Sequence, residues 1–209
     1  MKIALCGYTG KTGKEVYQVL KENQYDVIGI DEKSAPLYEQ IEKVDLVIDF
    51  TNKTQALKHI YICLDFHKPF IVGTTGFTYD ELATIKSLCQ LEKVKGVICY
   101  NFSLPLNEIL KQFSFFNSYF TDMTYLDIHH VSKLDKTSGT TYLFMLKNDK
   151  FKIKSYRTKQ NIITYVIQMC SKYDKMIISY QVYDKKVFAL GLLNYLKNKE
   201  ETEIINLIG

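Results

Sequence analysis

The feature that most constrains the fold is an apolar run, a glycine-rich turn and an amphipathic helix pattern in direct succession at the start of the chain. Residues 2–6 are typical of a buried strand, and Gly7, Gly10 and Gly13 follow them. Residues 15–20 then carry apolar side chains at helical spacing. A strand, a glycine turn and a helix in this order let the backbone approach a pyrophosphate at the helix N-terminus. An ordinary tight turn is the alternative.

Gly10-Lys11-Thr12 is similar to the last three residues of the phosphate-binding loop of nucleoside triphosphatases. That motif requires a glycine five positions before Gly10, and position 5 is leucine. The sequence therefore argues against this class of enzyme.

The alternation of strand and helix patterns continues along the first half of the chain. Strand patterns lie at residues 26–30, 44–51, 69–72 and 96–100, and helix patterns at about 54–67 and 79–91. This alternation predicts a parallel, doubly wound sheet of the Rossmann type.

Polar and glycine residues follow the predicted strands, at the edge of the sheet where such folds bind ligands. Asp31 lies roughly 20 residues after the glycine turn, as a dinucleotide site requires. Its carboxylate would accept hydrogen bonds from the ribose hydroxyls of NADH, whereas Lys33 could pair with the 2′-phosphate of NADPH. Thr51 and residues 73–76 occupy other strand ends. We expect them to face a cofactor; turns or helix caps are the alternative.

A second polar segment, residues 129–140, has the residue types of an acid–base site. Two of the four histidines are adjacent there, after an apolar, strand-like run. On an extended strand His129 and Lys133 would share one face, and His130 would lie on the other. Imidazole exchanges protons near neutral pH, and Ser138-Gly139-Thr140 offers hydroxyls and backbone N–H groups to a carboxylate. A polar loop with a structural histidine is the alternative.

These segments resemble, in order and spacing, the 4-hydroxy-tetrahydrodipicolinate reductases (dihydrodipicolinate reductases) of bacterial lysine and diaminopimelate synthesis. The family motifs are Gly-x-x-Gly-x-x-Gly, Asp-Phe-Ser/Thr, Gly-Thr-Thr-Gly, Asn-Phe-Ser-x-Gly-x-Asn and Glu-x-His-His-x-x-Lys-x-Asp-Ala-Pro-Ser-Gly-Thr. They correspond to residues 7–13, 49–51, 73–76, 101–107 and 127–140. The likeness continues to Phe188-Ala189-Leu190-Gly191, so it covers nearly the whole chain.

The resemblance implies hydride transfer from NADH or NADPH to a cyclic dicarboxylate, with His129 as the acid–base group and Lys133 as the proton donor. A nearby cation would stabilise charge that develops on the ring. The expected substrate contacts are His130, Ser138, Gly139 and Thr140. The motifs and the strand ends together give the expected cofactor contacts Gly7, Tyr8, Thr9, Gly10, Lys11, Thr12, Asp31, Lys33, Thr51, Gly73, Thr74, Thr75, Cys99, Tyr100, Asn101 and Phe102. Tetramers are usual in the family.

The chain also departs from the family pattern. The replacements are Asp127 for glutamate, Lys136-Thr137 for Ala-Pro, Pro105 for glycine, Tyr165 and Tyr180 for histidines, and Asp184-Lys185 for Ser-Arg. Tyrosine can donate a hydrogen bond but cannot become a cation. Two alternatives follow: a catalytically weak NAD(P)-binding regulatory protein, and a Rossmann oxidoreductase for another small dicarboxylate.

The positions of the motifs predict two domains. Residues 1–103 form the dinucleotide-binding domain, and residues 104–187 form an α+β domain for substrate binding and oligomerisation, with an open mixed sheet. Its predicted strands include residues 126–128, 161–169 and 176–182. A helical segment, 186–209, is expected to pack back on the first domain.

Composition narrows the class of protein. The chain has 209 residues, of which 46% are hydrophobic and 24% charged, as is usual for globular proteins. Its net charge is +4 and it contains no nucleic-acid-binding motif. Five cysteines without a C-x-x-C pair argue against a disulfide framework and a zinc site, so no metal is predicted. A strand begins at residue 2, and no apolar run approaches the ~20 residues of a membrane span. These features predict a cytoplasmic protein without membrane association.

Overall fold

The computed structural model describes residues 1–131, 139–147 and 152–198. The chain divides into two compact units. The first comprises Met1–Phe102 together with the segment that begins at Lys185, and the second comprises Ser103–Asp184. The roles assigned to the two domains from the sequence stay predictions.

The first unit contains a five-stranded parallel sheet. Its strands are β1 (Lys2–Cys6), β2 (Asp26–Ile30), β3 (Leu46–Asp49), β4 (Phe70–Val72) and β5 (Gly96–Ile98), in the order β2-β1-β3-β4-β5. The strand order reverses beside β1, which is the topological switch point where open sheets bind ligands. The predicted doubly wound sheet is confirmed.

The helices of the first unit form two groups. Their bounds are α1 (Gly13–Glu22), α2 (Leu37–Gln40), α3 (Lys53–Asp65), α4 (Tyr79–Glu92) and α8 (Lys186–Lys197). Helix α1 contacts α8, whereas α3 contacts α2 and α4. Strands β1, β3, β4 and β5 are almost completely buried, as expected when helices cover both faces of a parallel sheet.

The core of this unit joins the first and last helices to the sheet. Val16 and Leu20 of α1 lie in one apolar cluster with Ile3 of β1 and with Ala189 and Leu192 of α8. Each of these side chains is at most 2% exposed. Burial of this apolar surface is the main stabilising contribution that α8 makes.

The second unit contains a four-stranded mixed sheet. Its strands are β6 (Asp122–His130), β7 (Lys152–Thr158), β8 (Ile163–Cys170) and β9 (Lys175–Val182), in the order β7-β6-β8-β9. Strands β6 and β7 are parallel, and the other pairs are antiparallel. The mixed sheet expected from the sequence is confirmed.

The helices of the second unit are α5 (Leu104–Lys111), α6 (Phe113–Tyr119) and α7 (Gly139–Lys147). Pro105 lies in the first turn of α5, where a missing N–H breaks no helical hydrogen bond. Buried and half-buried residues alternate along β6, and Phe144 of α7 stacks on Tyr125 of that strand. Among the described residues, no helix has both the length and the apolar character needed to cross a bilayer.

Candidate active site

The glycine turn between β1 and α1 keeps the backbone close to the helix N-terminus. Gly7 has φ of +78°, and its N–H donates to the Ile30 carbonyl over 2.8 Å. A Cβ on Gly7 would lie 2.8 Å from the Phe50 carbonyl oxygen, and one on Gly13 would lie 2.0 Å from the Gly7 carbonyl oxygen. Glycine is therefore required at both positions. The resulting approach to the positive end of α1 suits a pyrophosphate.

Tyr8 of this turn packs on the sheet. A Cβ on Gly29 would lie 2.7 Å from the Tyr8 ring, and the Tyr8 and Tyr17 ring centroids are 5.5 Å apart. Thr12 caps α1 without a side-chain hydrogen bond. The turn thus has an aromatic wall on its β2 side.

Asp31 lies directly after β2 and stabilises its own turn. Its Oδ1 accepts hydrogen bonds from the N–H groups of Lys33, over 2.9 Å, and Ser34, over 3.1 Å. The Asp31 N–H donates to Ser34 Oγ over 2.8 Å. These contacts fix a carboxylate at the carboxyl end of β2, beside the strand that leads into the glycine turn.

A buried carboxylate links the next two strand ends. Asp49, the last residue of β3, is 1% exposed. Its Oδ1 accepts hydrogen bonds from the Thr51 N–H (3.0 Å), the Thr51 hydroxyl (2.9 Å) and the Thr74 hydroxyl (2.8 Å). Its Oδ2 lies 2.6 Å from His59 Nδ1 of helix α3. Because a carboxylate is an acceptor only, Nδ1 donates.

The sequence interpretation named Thr51 and Thr74 but missed Asp49 and His59 as site residues. Asp49 carries a signal, since it is the one acidic side chain in the otherwise apolar strand β3. His59 carries none, because its spacing from Asp49 gives no hint that α3 returns to this sheet edge.

Cys6, Asp49 and His59 place one ligand atom each within 4.8 Å of one another, as in a metal site. Zinc ligands of a tetrahedral site lie about 3.3 Å apart or more, given metal–ligand distances of roughly 2.0–2.3 Å. The Asp49–His59 separation of 2.6 Å is that of a hydrogen bond. Burial, together with the Asp49 charge, raises the pKa of the Cys6 thiol well above its usual range. The cluster is a hydrogen-bonded network with a neutral thiol beside it.

The segment after β5 is closely packed. Cys99, Asn101 and Phe102 are each at most 4% exposed, and the Phe102 and Phe50 rings are 5.8 Å apart. Burial raises the pKa of Cys99 to about 12, so its thiol is neutral at physiological pH. Helix α8 crosses this segment closely, since a Cβ on Gly191 would lie 1.7 Å from the Phe102 carbonyl oxygen.

In the second unit, the end of β6 places a histidine beside a buried carboxylate. Asp127 is fully buried and His129 is 7% exposed, on the same face of the strand. Asp127 Oδ2 lies 3.4 Å from His129 Nε2 and accepts a hydrogen bond from the Thr141 hydroxyl over 3.0 Å. His130 is half-buried on the opposite face, as the strand pattern predicts.

The structure describes only part of the second half of the 127–140 motif. Gly139 begins helix α7, and Thr140 and Thr141 in its first turn are buried. The Thr140 hydroxyl lies 3.5 Å from the Tyr165 hydroxyl. The predicted site residues Lys133 and Ser138 lie outside the described residues.

Of the two tyrosines expected at family histidine positions, Tyr165 lies beside His129 and Tyr180 lies beside Tyr165. The Tyr165 ring contacts the His129 ring edge to face, with centroids 5.8 Å apart. Tyr165 also stacks on Tyr180, with centroids 6.3 Å apart and ring planes at 10°. The Tyr180 hydroxyl accepts a hydrogen bond from Ser103 over 2.7 Å. An aromatic ladder therefore occupies the space next to the histidine.

Comparison with known proteins decides the family. A model described as "Dihydrodipicolinate reductase, N-terminus" matches residues 1–102. The 4-hydroxy-tetrahydrodipicolinate reductase of Thermosipho africanus is 27% identical over 202 residues, which are 94% of this chain and 90% of that protein. The chain belongs to the 4-hydroxy-tetrahydrodipicolinate reductase family.

Other reductases of this name show how much of each chain the similarity covers. The enzyme of that name from Halalkalibacterium halodurans is 26% identical over 163 residues, which are 67% of this chain but 62% of the relative. The chain thus spans about three fifths of the length of some curated relatives. A solved dihydrodipicolinate reductase from Paenisporosarcina sp. TG-14, with dipicolinate bound, covers 100% of this chain and 97% of its own. Its TM-score of 0.77 at 21% identity shows the same fold.

Proposed function

We propose that this protein catalyses the reduction of 4-hydroxy-tetrahydrodipicolinate to tetrahydrodipicolinate, in lysine and diaminopimelate biosynthesis. In this reaction the ring takes up a hydride from NADH or NADPH and one proton, and the 4-hydroxyl group leaves as water. One observation carries the proposal: the most specific motif of the reductase family coincides with a buried His129–Asp127 pair at the end of β6. Family membership supports the same reaction, and so does the dipicolinate in the Paenisporosarcina structure, because dipicolinate is also a cyclic dicarboxylate.

The cofactor site that we propose is built from the strand ends of the first unit. The glycine turn and the N-terminus of α1 would hold the pyrophosphate, and Asp31 would accept hydrogen bonds from the ribose hydroxyls. Thr51 and Gly73–Thr75 would line the site at the ends of β3 and β4. A nicotinamide cofactor would supply the hydride. The glycine positions fit such a cofactor, because a side chain on Gly7 or Gly13 would fill the cradle.

The substrate site that we propose lies at the start of α7. The Thr140 hydroxyl is directed at Tyr165, so the backbone N–H groups of Gly139 and Thr140 are the groups that we assign to a substrate carboxylate. His130 and Ser138 complete the proposed carboxylate contacts. Lys133 would supply the proton to the reduced ring.

His129 would hold a proton beside the reacting ring. Asp127 faces its Nε2 and would stabilise the imidazolium form, while Thr141 holds the Asp127 carboxylate in place. An imidazolium and an ammonium together would stabilise negative charge on the ring during reduction. Asp127 is a positioning residue in this scheme, because it acts through His129.

The aromatic ladder favours one alternative function. Tyr165 and Tyr180 replace residues that can become cationic, and Tyr165 is buried against His129. A member of the family that binds NAD(P) without rapid turnover would also accommodate these changes. Cofactor binding without substrate reduction would distinguish this regulatory function from the reductase. Turnover with a different small dicarboxylate would indicate a related oxidoreductase.

The test is oxidation of NADH and of NADPH with substrate generated in situ by the preceding synthase. We expect turnover in the wild type and a loss of about a hundredfold or more in Lys133→Ala and in His129→Gln, because each removes a proton-transfer group. Lys86→Ala, at an exposed position of α4, and His67→Asn, at an exposed loop position with φ of +49°, are the matched controls. The absence of turnover with either cofactor would contradict the proposal.

We further propose that the protein acts in the cytoplasm as a homotetramer, as is usual in the family. Tyr156 of β7 and Ile177 of β9 are more than half exposed, and β7 and β9 are the outer strands of the second sheet. Apolar side chains on an open sheet favour association. Sedimentation equilibrium would test the subunit number, and a monomer at micromolar concentration would contradict it.

A further inference from the structure

The Asp49 carboxylate is the central group of a buried network in the first unit. Its Oδ1 accepts hydrogen bonds from the loop after β3, through Thr51, and from the loop after β4, through Thr74. A buried carboxylate is costly unless charge or hydrogen bonds compensate it. Among the partners that the described residues provide, His59 makes the shortest contact, at 2.6 Å.

Helix α3 positions His59 beside Asp49. Asn52 caps the helix by accepting a hydrogen bond from the Gln55 N–H, and Ala56, Ile60 and Cys63 are buried along the helix. The His59 side chain is 14% exposed. The imidazole therefore contacts the Asp49 carboxylate from helix α3, whereas Thr51 and Thr74 contact it from the loops after β3 and β4.

We infer that His59 is a positioning residue for dinucleotide binding, which sets the spacing of the Thr51 loop and the Gly73–Thr75 loop through Asp49. The inference rests on the proposed function, since it assigns both loops to the cofactor site. Without the imidazole, the buried carboxylate loses the donor of its shortest hydrogen bond and competes for the remaining donors or for water. The hydroxyls of Thr51 and Thr74 would then no longer be held in one arrangement.

The network should affect the binding of the dinucleotide and not that of the dicarboxylate. Every residue of the network belongs to the first unit, whereas the proposed substrate residues belong to the second. Loss of the imidazole should weaken the binding of NADH and NADPH and leave the KM for the dicarboxylate unchanged. A general loss of folding would lower the fraction of active protein without changing the affinity of the remainder.

The experiment measures NADH and NADPH binding by titration calorimetry in the absence of substrate. His59→Leu removes the donor, and His59→Asn retains one, because the Asn amide nitrogen occupies nearly the position of Nδ1. Lys58→Leu, at the adjacent exposed position of α3, is the control for a change of polar to apolar side chain. The binding stoichiometry gives the competent fraction of each preparation, and thermal unfolding checks its fold.

We expect His59→Leu to weaken dinucleotide binding about tenfold, and His59→Asn and Lys58→Leu to stay within about threefold of the wild type. Wild-type affinity in His59→Leu would overturn the inference, as would equal losses in His59→Leu and His59→Asn. Binding by the wild type without turnover would contradict the proposed reaction and leave this inference standing. A wild type that binds neither dinucleotide would overturn both.

Discussion

Asp127 is a buried acidic residue beside His129 at the candidate site. It is fully buried, two residues before His129 on the same face of β6, and the Thr141 hydroxyl donates to it. The family motif that residues 127–140 resemble has glutamate here, which has the same charge on a longer side chain. Retention of an ionisable group in so buried a place is costly, which favours a role in the site over a role in packing.

At the residue scale we predict that Asp127→Asn lowers kcat by about 10- to 100-fold with little change in the KM for NADH. The neutral amide no longer stabilises an imidazolium on His129. Asp127→Glu keeps the charge and should recover most of the activity. Steady-state kinetics with both variants would test this, and a kcat of Asp127→Asn within twofold of the wild type would contradict it.

At the scale of an element, α4 has a complete capping box. The Thr78 side chain accepts from the Glu81 N–H, and the Glu81 carboxylate accepts from the Thr78 N–H. The hydrogen bond from Thr78 and, to a smaller extent, Lys53 lower the pKa of Glu81. The stabilisation is therefore present above the pKa of an unfolded-state glutamate and is lost as the pH falls through the folded-state value.

We predict that Thr78→Ala lowers the free energy of unfolding by about 1 kcal/mol, because the cap of α4 is lost. Glu81→Gln should lower the melting temperature at neutral pH, and the difference from the wild type should shrink in acid. Glu92→Gln makes the same charge change at the other end of α4 and is the control. A difference in melting temperature between Glu81→Gln and the wild type that is unchanged at pH 3 would contradict a stabilising role of the ionised Glu81.

The contact of α8 with the segment after β5 gives a second prediction for an element. Gly191→Ala would place a methyl group 1.7 Å from the Phe102 carbonyl oxygen, so the helix or that segment must move. We expect a loss of about 2–4 kcal/mol in the free energy of unfolding, measured by urea denaturation. Leu190→Ala, at the neighbouring exposed position, should cost much less. Equal effects of the two substitutions would show that the close approach is unimportant.

The sequence predicted elements better than it predicted contacts between them. Helix α3 was expected at about 54–67 and spans Lys53–Asp65, because its apolar periodicity is local information. Strand β7 was missed because Lys152–Thr158 contains lysine and arginine side chains and few apolar ones. Such a composition is typical of a strand at the edge of a sheet. The Asp49–His59 bond was missed because it depends on how α3 returns to the sheet.

At the scale of the whole molecule, the cysteines show how completely the first unit is closed. Cys6, Cys63, Cys89 and Cys99 are buried, and Cys170 of the second unit is half-buried. Burial raises the pKa of Cys89 to about 11 and that of Cys99 to about 12, and it raises those of Cys6 and Cys63 as well. A thiol reacts as its thiolate, so these four should be inert at neutral pH.

We predict that a disulfide reagent at pH 8 modifies Cys170 rapidly and the other four cysteines only after denaturation. The Cys170→Ser variant should lose the fast phase, and urea should release all five thiols of the wild type. Rapid modification of two or more thiols in the folded protein would contradict the closed arrangement of the first unit.

The division of the chain has a consequence for its synthesis on the ribosome. The first unit is discontinuous, since α8 completes a core that begins with β1 and α1. More than 160 further residues are synthesised after Val16 and Leu20 before Ala189 and Leu192 can cover them. An apolar surface on the nascent first unit therefore stays uncovered while the second unit is being made, and surface of this kind is prone to aggregation and to chaperone binding.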